Sequence, residues 1–369
     1  MDEIFTDRQM GRRGFLKRAG VVGATLPIAG GLLVGACYDD PTGGRPATTK
    51  EGVPPNAVKP GVKPEGGVTS PVSQTDGHGK IDLDHKKGVE DFLKNQTTPL
   101  TKGKGMQPLL PRIENGVKIF DLTSDEVDWE VSPGKVEKGR GFNGMIPGPT
   151  LRATEGDTVR INLKNNLTES TSIHWHGILV PNKQDGVPYV TQEPIKPGET
   201  YTYEFTLRNS GSHMYHSHHN SADQVNRGLL GAFVIEPKDK ASYPKYDREY
   251  ILIMNDSLLG FTWNGKGFPA TDALAAKKGE RVLIRWMNEG LMYHPMHLHG
   301  LTMKVFARDG YPIVPPYECD TIDVPPGNRF DCIIEATEVG LWAFHCHVLS
   351  HAENASGMFG LVSVLVVAE

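Results

Sequence analysis

The sequence predicts an all-β protein built as two tandem β-sandwiches, and three observations support this prediction. The 369 residues include 42 glycines and 27 prolines, and only 22% are charged, which is typical of turn-rich β structure rather than of helices. Short segments alternate apolar and polar residues between turn signals. The same order of segments then occurs twice along the chain, which indicates a tandem.

The first 37 residues resemble an export signal. Arg12-Arg13 forms a twin-arginine sequence, and an apolar stretch from about residue 21 to 36 follows it. That stretch is short and rich in glycine for a membrane span, so we expect export by the twin-arginine route to the periplasm or cell surface. Leu33 to Cys37 resembles a lipobox and predicts a lipid anchor on Cys37. Ordinary cleavage nearby, with Cys37 removed or inert, is the open alternative.

Residues 38–111 predict a mostly disordered tether. The segment is rich in Pro, Gly, Thr and Lys and poor in aromatic residues, so it offers little apolar surface to offset the entropy of ordering. His78 and His85 lie here, and lone histidines in a polar tether are more often solvated than bound to metal.

Two domains follow, over residues 112–237 and 238–369. In the first, residues 158–163 and 201–206 alternate apolar and polar side chains behind Gly-Asp and Pro-Gly turns. Residues 281–286 and 329–334 repeat this arrangement in the second. A period of two is the signature of half-buried strands, so each half predicts a sandwich.

Charge and cysteine content exclude several classes of protein. The net charge of −5 gives no basic excess for nucleic acid. Four cysteines are too few for the disulfide framework of a small secreted scaffold. Cys319 and Cys332 flank the Pro325–Gly327 turn, and the sequence leaves open whether they form a cross-strand disulfide.

Histidines are concentrated in the two predicted domains, in four His-x-His pairs. Alternate residues of a strand share one face, so each pair presents two imidazoles side by side. Imidazole suits copper, zinc, iron and nickel, so these pairs alone do not identify a metal. The pairs are His174/His176, His216/His218, His297/His299 and His345/His347.

The last block identifies copper as the metal. Cys346 lies between His345 and His347, with His351 five residues on and Met358 beyond. Together with His294, these residues supply two imidazoles, a thiolate and a distant thioether, which is the ligand set of a blue-copper electron-transfer site. Zinc has no redox chemistry and more often takes a closed four-ligand site.

With these motifs in order, the chain resembles the multicopper oxidases, and in particular their two-domain, small laccase-like members. His-Trp-His-Gly, His-Ser-His, His-Pro-x-His-Leu-His-Gly and His-Cys-His-x-x-x-His look like the four copper motifs of that family. Ile146–Pro149, Asp185-Gly186 and Gly228–Gly231 are further family features. The resemblance covers about residues 117–368 and implies two cupredoxin-like Greek-key β-sandwiches.

The resemblance also implies a ligand for each copper, with about four copper ions per chain. His294, Cys346 and His351 would hold the type 1 copper, with Met358 as its axial ligand. An insertion of Ala355-Ser356 before Gly357 departs from many relatives at this point. His174 and His297 would hold the type 2 copper. The type 3 pair would be held by His176, His216, His218, His299, His345 and His347.

The implied function is an oxidase that couples one-electron oxidation of a reducing substrate to the four-electron reduction of dioxygen to water. We expect outer-sphere oxidation near the His294/His351 edge, electron transfer through Cys346, and Asp185 as a proton relay. Some relatives carry an acid directly after the last histidine, where this chain has Ala352. A turn-forming role is the alternative for Asp185.

Small phenolic or aromatic donors are the expected substrates, and oxidation of ferrous, cuprous or manganous ions is the alternative. Two-domain relatives assemble as homotrimers, with each trinuclear cluster between domain 1 of one chain and domain 2 of the next. A copper nitrite reductase is a weaker alternative, because those enzymes carry the type 1 cysteine in domain 1 and hold the type 2 copper with three histidines. A copper carrier would explain the type 1 ligands alone.

Overall fold

The computed structural model describes residues 77–369, so the export signal, Cys37 and residues 38–76 of the predicted tether lie outside the described residues. Over this range, none of the helices is long and apolar enough to cross a membrane. The structure is dominated by strands, with helices α1 (Gly77–Asn95) and α2 (Ser221–Gln224) and short 3-10 turns at Asn182–Gln184, Lys240–Ser242 and Leu349–His351.

The first sandwich has two facing sheets. One has the order β1-β2-β5-β7, with β3 paired to β2, and the other has the order β4-β9-β8-β6. Trp175, Tyr203, Tyr215 and Phe233 fill the space between them. The strands are β1 (Arg112–Glu114), β2 (Val117–Ser132), β3 (Lys135–Phe142), β4 (Leu151–Thr154), β5 (Thr158–Asn165), β6 (His174–His176), β7 (Thr200–Thr206), β8 (Gly211–His216) and β9 (Leu230–Glu236).

The second sandwich repeats the plan. Its sheets have the orders β11-β10-β13-β18-β15-β16 and β12-β22-β19-β14-β17, and β20 and β21 form a separate hairpin. Trp263, Trp286 and Phe344 meet edge to face or tilted in its core. The strands are β10 (Arg248–Asn255), β11 (Thr262–Trp263), β12 (Leu274–Lys277), β13 (Arg281–Asn288), β14 (His294–Leu298), β15 (Met303–Arg308), β16 (Tyr311–Cys319), β17 (Thr321–Val324), β18 (Arg329–Glu335), β19 (Gly340–Cys346), β20 (Glu353–Asn354), β21 (Gly357–Met358) and β22 (Val362–Ala368).

The predicted all-β, cupredoxin-like fold is confirmed. The alternation in residues 158–163 and 281–286 forms β5 and β13, and the apolar residues of these strands face the cores. A smaller apolar cluster that includes Met214, Ile253 and Met287 joins residues of both halves. Burying apolar side chains contributes about 25 cal/mol for each Å² removed from water, so this cluster stabilises the contact between the halves.

The predicted disordered tether is wrong for residues 77–111. Residues 77–95 form α1, and Phe92 is 2% exposed and stacks on Phe268, with 5.4 Å between ring centroids. The Asn95 side chain donates to the Thr271 carbonyl and accepts from the backbone of Leu100. The tether prediction considered composition alone, whereas one aromatic anchor and a few hydrogen bonds to a preformed sandwich offset the ordering entropy.

Cys319 and Cys332 are free thiols. Cys319 lies on β16 and Cys332 on β18, and β15 lies between those strands because Met303 pairs with Cys319 and Val305 with Cys332. Two strand spacings amount to roughly 10 Å, beyond the roughly 7 Å that a disulfide can span between Cα atoms.

Candidate metal centre

Three buried side chains converge at one end of the second sandwich. The Cys346 sulfur lies 3.6 Å from Nδ1 of His294 and 3.6 Å from Nδ1 of His351, and the two Nδ1 atoms are 3.3 Å apart. A point equidistant from all three lies about 2 Å from each, close to the ~2.0–2.3 Å of metal–nitrogen and metal–sulfur bonds. The triangle therefore fits one metal ion without rearrangement.

The strands place these three residues. Met296 of β14 pairs with Cys346 of β19, so His294 lies two residues from that register point. His351 ends the 3-10 turn that follows β19. Cys346 and His294 are fully buried and His351 is 6% exposed. Burial raises the pKa of the Cys346 thiol to about 11, so in this pocket a thiolate would need a cation beside it.

Asp256 fixes the orientation of His294, and the sequence analysis missed it. Its Oδ2 lies 2.8 Å from His294 Nε2, and it accepts the backbone N–H groups of Leu291 and Met292 at 2.8 Å. Burial alone would raise the pKa of Asp256, but these hydrogen bonds lower it overall. A proton on Nε2 leaves the Nδ1 lone pair directed at Cys346, which is the usual role of a carboxylate behind a ligating histidine.

Four histidines of the first sandwich form a second cluster. The pairing of β6 with β8 sets His174 opposite His216, with ring centroids 5.3 Å apart, and His218 lies 5.4 Å from His174. Nδ1 of His176 is 3.3 Å from Nε2 of His216. Burial lowers the pKa of His176 to about 3 and also lowers the pKa values of His174 and His216. These imidazoles are therefore neutral at neutral pH, the form that binds metal.

Four histidines of the second sandwich form a third cluster. His297 pairs with His345 across β14 and β19, and Nε2 of His299 is 3.1 Å from Nε2 of His345. The His297 and His347 rings lie 5.5 Å apart. His299 and His347 are exposed, so this cluster opens to the surface of the chain.

Alternation along β19 connects the third cluster to the triangle. Cys346 points into the core, while His345 and His347 point to the opposite side of the strand, as neighbours of a strand residue do. The Cys346 thiol of the triangle is therefore joined through the backbone to the imidazoles of His345 and His347 in the third cluster.

Comparisons with known proteins agree with this geometry. Residues 124–240 and residues 244–365 each match a sequence model of multicopper oxidase domains, and together they span well over half of the chain. The chain belongs to the multicopper oxidase family.

Curated relatives include a copper resistance protein and a laccase. Copper resistance protein A of Escherichia coli is 40% identical over 281 residues, which are 58% of this chain and 46% of that protein. Laccase-1 of Thanatephorus cucumeris is 33% identical over 267 residues, which are 61% of this chain and 45% of that protein. This chain spans less than half of the length of these curated relatives.

Solved structures resemble the chain over more of their length. The blue copper oxidase from Nitrosomonas europaea has a TM-score of 0.64 at 31% identity, covering 68% of this chain and 86% of that one. A copper nitrite reductase from the same organism has a TM-score of 0.60 at 28% identity, covering 69% of this chain and 94% of that one.

The buried triangle of His294, Cys346 and His351 has the donor set of the type 1 copper site of multicopper oxidases. Its two imidazoles are almost completely buried. His294 is fully buried, and Phe261 stacks on His351 with ring centroids 4.2 Å apart. Protein groups such as Phe261 cover almost all of both imidazoles, and substrate oxidation near the His294/His351 edge stays a prediction.

Met358 lies on β21, in the hairpin that follows His351 along the chain. The inserted Ala355-Ser356 forms the turn between β20 and β21, and Glu353 pairs with Met358 across it. The Met358 side chain packs against the apolar cluster that includes Phe92 and Ala352. The insertion therefore forms the turn of this hairpin, and the role of Met358 as axial ligand stays a prediction.

Asp185 lies beside the first histidine cluster. Its backbone carbonyl is 2.9 Å from Nδ1 of His174, and its carboxylate oxygen is 3.4 Å from the same atom. The carbonyl contact fixes the ring, so Nε2 of His174 faces the other imidazoles. A carboxylate at this distance is in position to exchange protons with groups near the cluster, and the proton-relay role stays a prediction.

Two histidines outside the three clusters, His213 and His85, have local partners. His213 is fully buried with Nε2 3.2 Å from the Ser210 carbonyl, and burial lowers its pKa to about 4. His85, which we expected to be solvated, lies on α1 with Nε2 3.1 Å from Glu353 Oε1. That contact joins α1 to the hairpin of β20 and β21.

Proposed function

We propose that this chain is a copper oxidase that couples one-electron oxidation of a small reducing substrate to the four-electron reduction of dioxygen to water. The observation that carries the proposal is Cys346, whose sulfur completes a buried triangle with two imidazoles while its neighbours His345 and His347 belong to a separate histidine cluster. Bound copper would supply reversible one-electron chemistry and the site for dioxygen.

We assign the copper ligands as follows. His294, Cys346 and His351 would hold the type 1 copper, with Met358 as a further donor. His174 and His297 would hold the type 2 copper, and six imidazoles would hold the type 3 pair: His176, His216, His218, His299, His345 and His347. About four copper ions per chain would be bound, since imidazole and thiolate donors in these numbers suit copper.

A homotrimer is part of the proposal, because one chain supplies its imidazoles as two separate sets. Ring contacts join His174, His176, His216 and His218 to one another, and they join His297, His299, His345 and His347 to one another. Within residues 77–369, no ring of one set contacts a ring of the other. The surface opening of the second set supports completion of the cluster by a neighbouring chain.

Mixed assembly tests this arrangement. A chain with His174 and His176 changed to Ala lacks a working first set, and a chain with His299 and His345 changed to Ala lacks the second. Each variant should be inactive alone. In mixed trimers, oxygen uptake should return at interfaces where the intact first set of one variant meets the intact second set of the other. Light scattering that shows an active, fully copper-loaded monomer would contradict the trimer.

Phenolic or aromatic donors are the proposed substrates, and metal ions are the second candidate. The similarity to a laccase supports the first. The similarity to a copper resistance protein and the exposed Glu353 carboxylate, two residues from His351, support the second. Nitrite reduction is less well supported despite the structural neighbour, because the first sandwich contains no cysteine and all eight cluster histidines are present.

Copper counting tests the proposal directly. The purified protein, loaded with copper and freed of excess, should contain about four copper ions per chain and show an intense blue absorption band. A value near one copper per chain with the same band would identify an electron carrier instead. The variant Cys346→Ser should lose the blue band, because the thiolate that gives rise to it is absent.

A further inference from the structure

Glu289 is a buried acid at the junction of the two sandwiches. It follows β13 directly, its backbone N–H donates to the Met254 carbonyl, and the residue is 8% exposed. Its Oε1 atom has no hydrogen-bond partner in the part of the chain that the structure describes. A buried carboxyl oxygen without a partner costs free energy, so its presence calls for an explanation.

The carboxylate lies beside two imidazoles of the first sandwich. A carboxyl oxygen of Glu289 and one ring nitrogen each of His176 and His216 all lie within 4.8 Å of one another. Nδ1 of His216 contacts the Ser217 carbonyl at 2.9 Å, so Nε2 is its free nitrogen, and it faces Nδ1 of His176 at 3.3 Å. These nitrogens are spaced to bind one ion, and the carboxylate approaches the same place.

An ion pair with Arg329 does not account for Glu289. Arg329 is the nearby cation, but its guanidinium donates to the carbonyls of Ser212, Gly327 and Asp309. No hydrogen bond joins it to Glu289 in residues 77–369. Burial raises the pKa of Glu289 to about 8. The carboxyl group therefore lies beside the imidazoles with no hydrogen-bond partner on Oε1 in the described part of the chain, unlike a purely structural buried acid.

Packing keeps the Glu289 loop in place. At Gly290, an added Cβ would meet the Asp256 carboxylate at 2.3 Å, so glycine lets the chain pass close to that group. The next two backbone N–H groups bind Asp256. The segment that carries Glu289 toward the first sandwich is thus tied to the carboxylate that orients His294.

We propose that Glu289 is a further copper ligand, supplying the third donor from this chain to the ion held by His176 and His216. The inference rests on the proposed function. Two imidazoles and a carboxylate form a donor set that binds divalent transition metals, and carboxylate oxygen favours Cu(II) over Cu(I). One half of the cluster would then hold copper with donors from both sandwiches of a single chain.

Copper affinity of the assembled protein tests this inference. Glu289→Gln keeps the shape and removes the anionic donor, Glu289→His replaces it with another metal-binding group, and Glu318→Gln changes an exposed acid on β16 as the control. Each protein is equilibrated with Cu(II) against a series of chelators, and copper per chain is recorded together with the blue band. We expect Glu289→Gln to bind one copper at least about tenfold more weakly with the blue band unchanged. Glu289→His and the control should keep that copper.

Two results would overturn the inference. One is a Glu289→Gln protein that binds all of its copper with wild-type affinity. The other is a Glu289→His protein that folds but loses the same copper as the Gln variant, which would make Glu289 a packing residue. If the wild-type protein itself binds about one copper per chain, the proposed oxidase function fails instead, so the two failures are distinguishable.

Discussion

Replacing Asp256 by Asn should weaken both the fold and the type 1 site. The carboxylate accepts three hydrogen bonds of 2.8 Å, from Leu291 N–H, Met292 N–H and His294 Nε2. An Asn side chain has one acceptor oxygen, which can accept from Met292 N–H and His294 Nε2 as Oδ2 does, so at least one donor loses its partner and all three lose the negative charge of the acceptor. Hydrogen bonds to a charged group contribute about 1.5–3 kcal/mol each, and partial relaxation offsets some of that loss. We expect the free energy of unfolding to fall by about 3 kcal/mol.

The pH dependence of this loss has a definite sign. Hydrogen bonds hold the pKa of Asp256 below its ordinary value. Its stabilisation is therefore fully present above the unfolded-state pKa of about 3.9 and is lost as pH falls through the folded-state pKa. The difference between wild type and Asp256→Asn should be constant between pH 5 and 7 and should shrink below about pH 4.

Urea unfolding of the metal-free protein at several pH values measures this difference, with Asp323→Asn, an exposed acid on β17, as the matched control. Copper titration measures the second effect: loss of a group behind a ligand typically weakens metal affinity about 10- to 100-fold. An Asp256→Asn protein with wild-type stability, blue band and copper affinity would refute the positioning role.

Three further predictions concern other parts of the molecule. Asp185→Asn should slow oxygen uptake while leaving the blue band intact, and loss of that band would instead make Asp185 structural. Phe92→Ala removes a ring that stacks on Phe268 and should cost about 3 kcal/mol of α1 docking. Hydrogen exchange should then rise in residues 77–95 and not in the sheets, and unchanged exchange there would count against the anchor. Burial lowers the pKa of Lys266 to about 8. The free-energy cost of burying its charge is therefore largest below pH 8 and decreases as the pH rises toward 10.5. The stability of wild type relative to Lys266→Met should rise by about 3 kcal/mol between pH 7 and 10.5, and a flat difference in urea unfolding would contradict it.

Much of the fold could be predicted from local patterns. The period-2 segments formed strands such as β5, which buries alternate residues against a sandwich core, and β13, which is buried on both faces. The spacing of five residues between Cys346 and His351 placed these two side chains near one another because β19 and the following turn fix them. His294 joins them through the pairing of β14 with β19.

Other features depend on contacts between distant parts of the sequence. Asp256 precedes His294 by 38 residues, and no local motif marks it as the partner of that ring. Docking of α1 depends on contacts such as the one between Asn95 and Thr271, 176 residues apart, so composition alone suggested disorder. The approach of Glu289 to His176 depends on how the two sandwiches pack, which no periodicity encodes.

Oxygen uptake by the copper-loaded protein with a phenolic donor tests the central claim most directly, when donor oxidised, oxygen consumed and peroxide formed are measured together. The proposed function predicts four one-electron oxidations for each dioxygen, no peroxide, and an intense blue band before the donor is added. A blue band without oxygen uptake, for phenolic, ferrous and cuprous donors alike, would contradict the oxidase function.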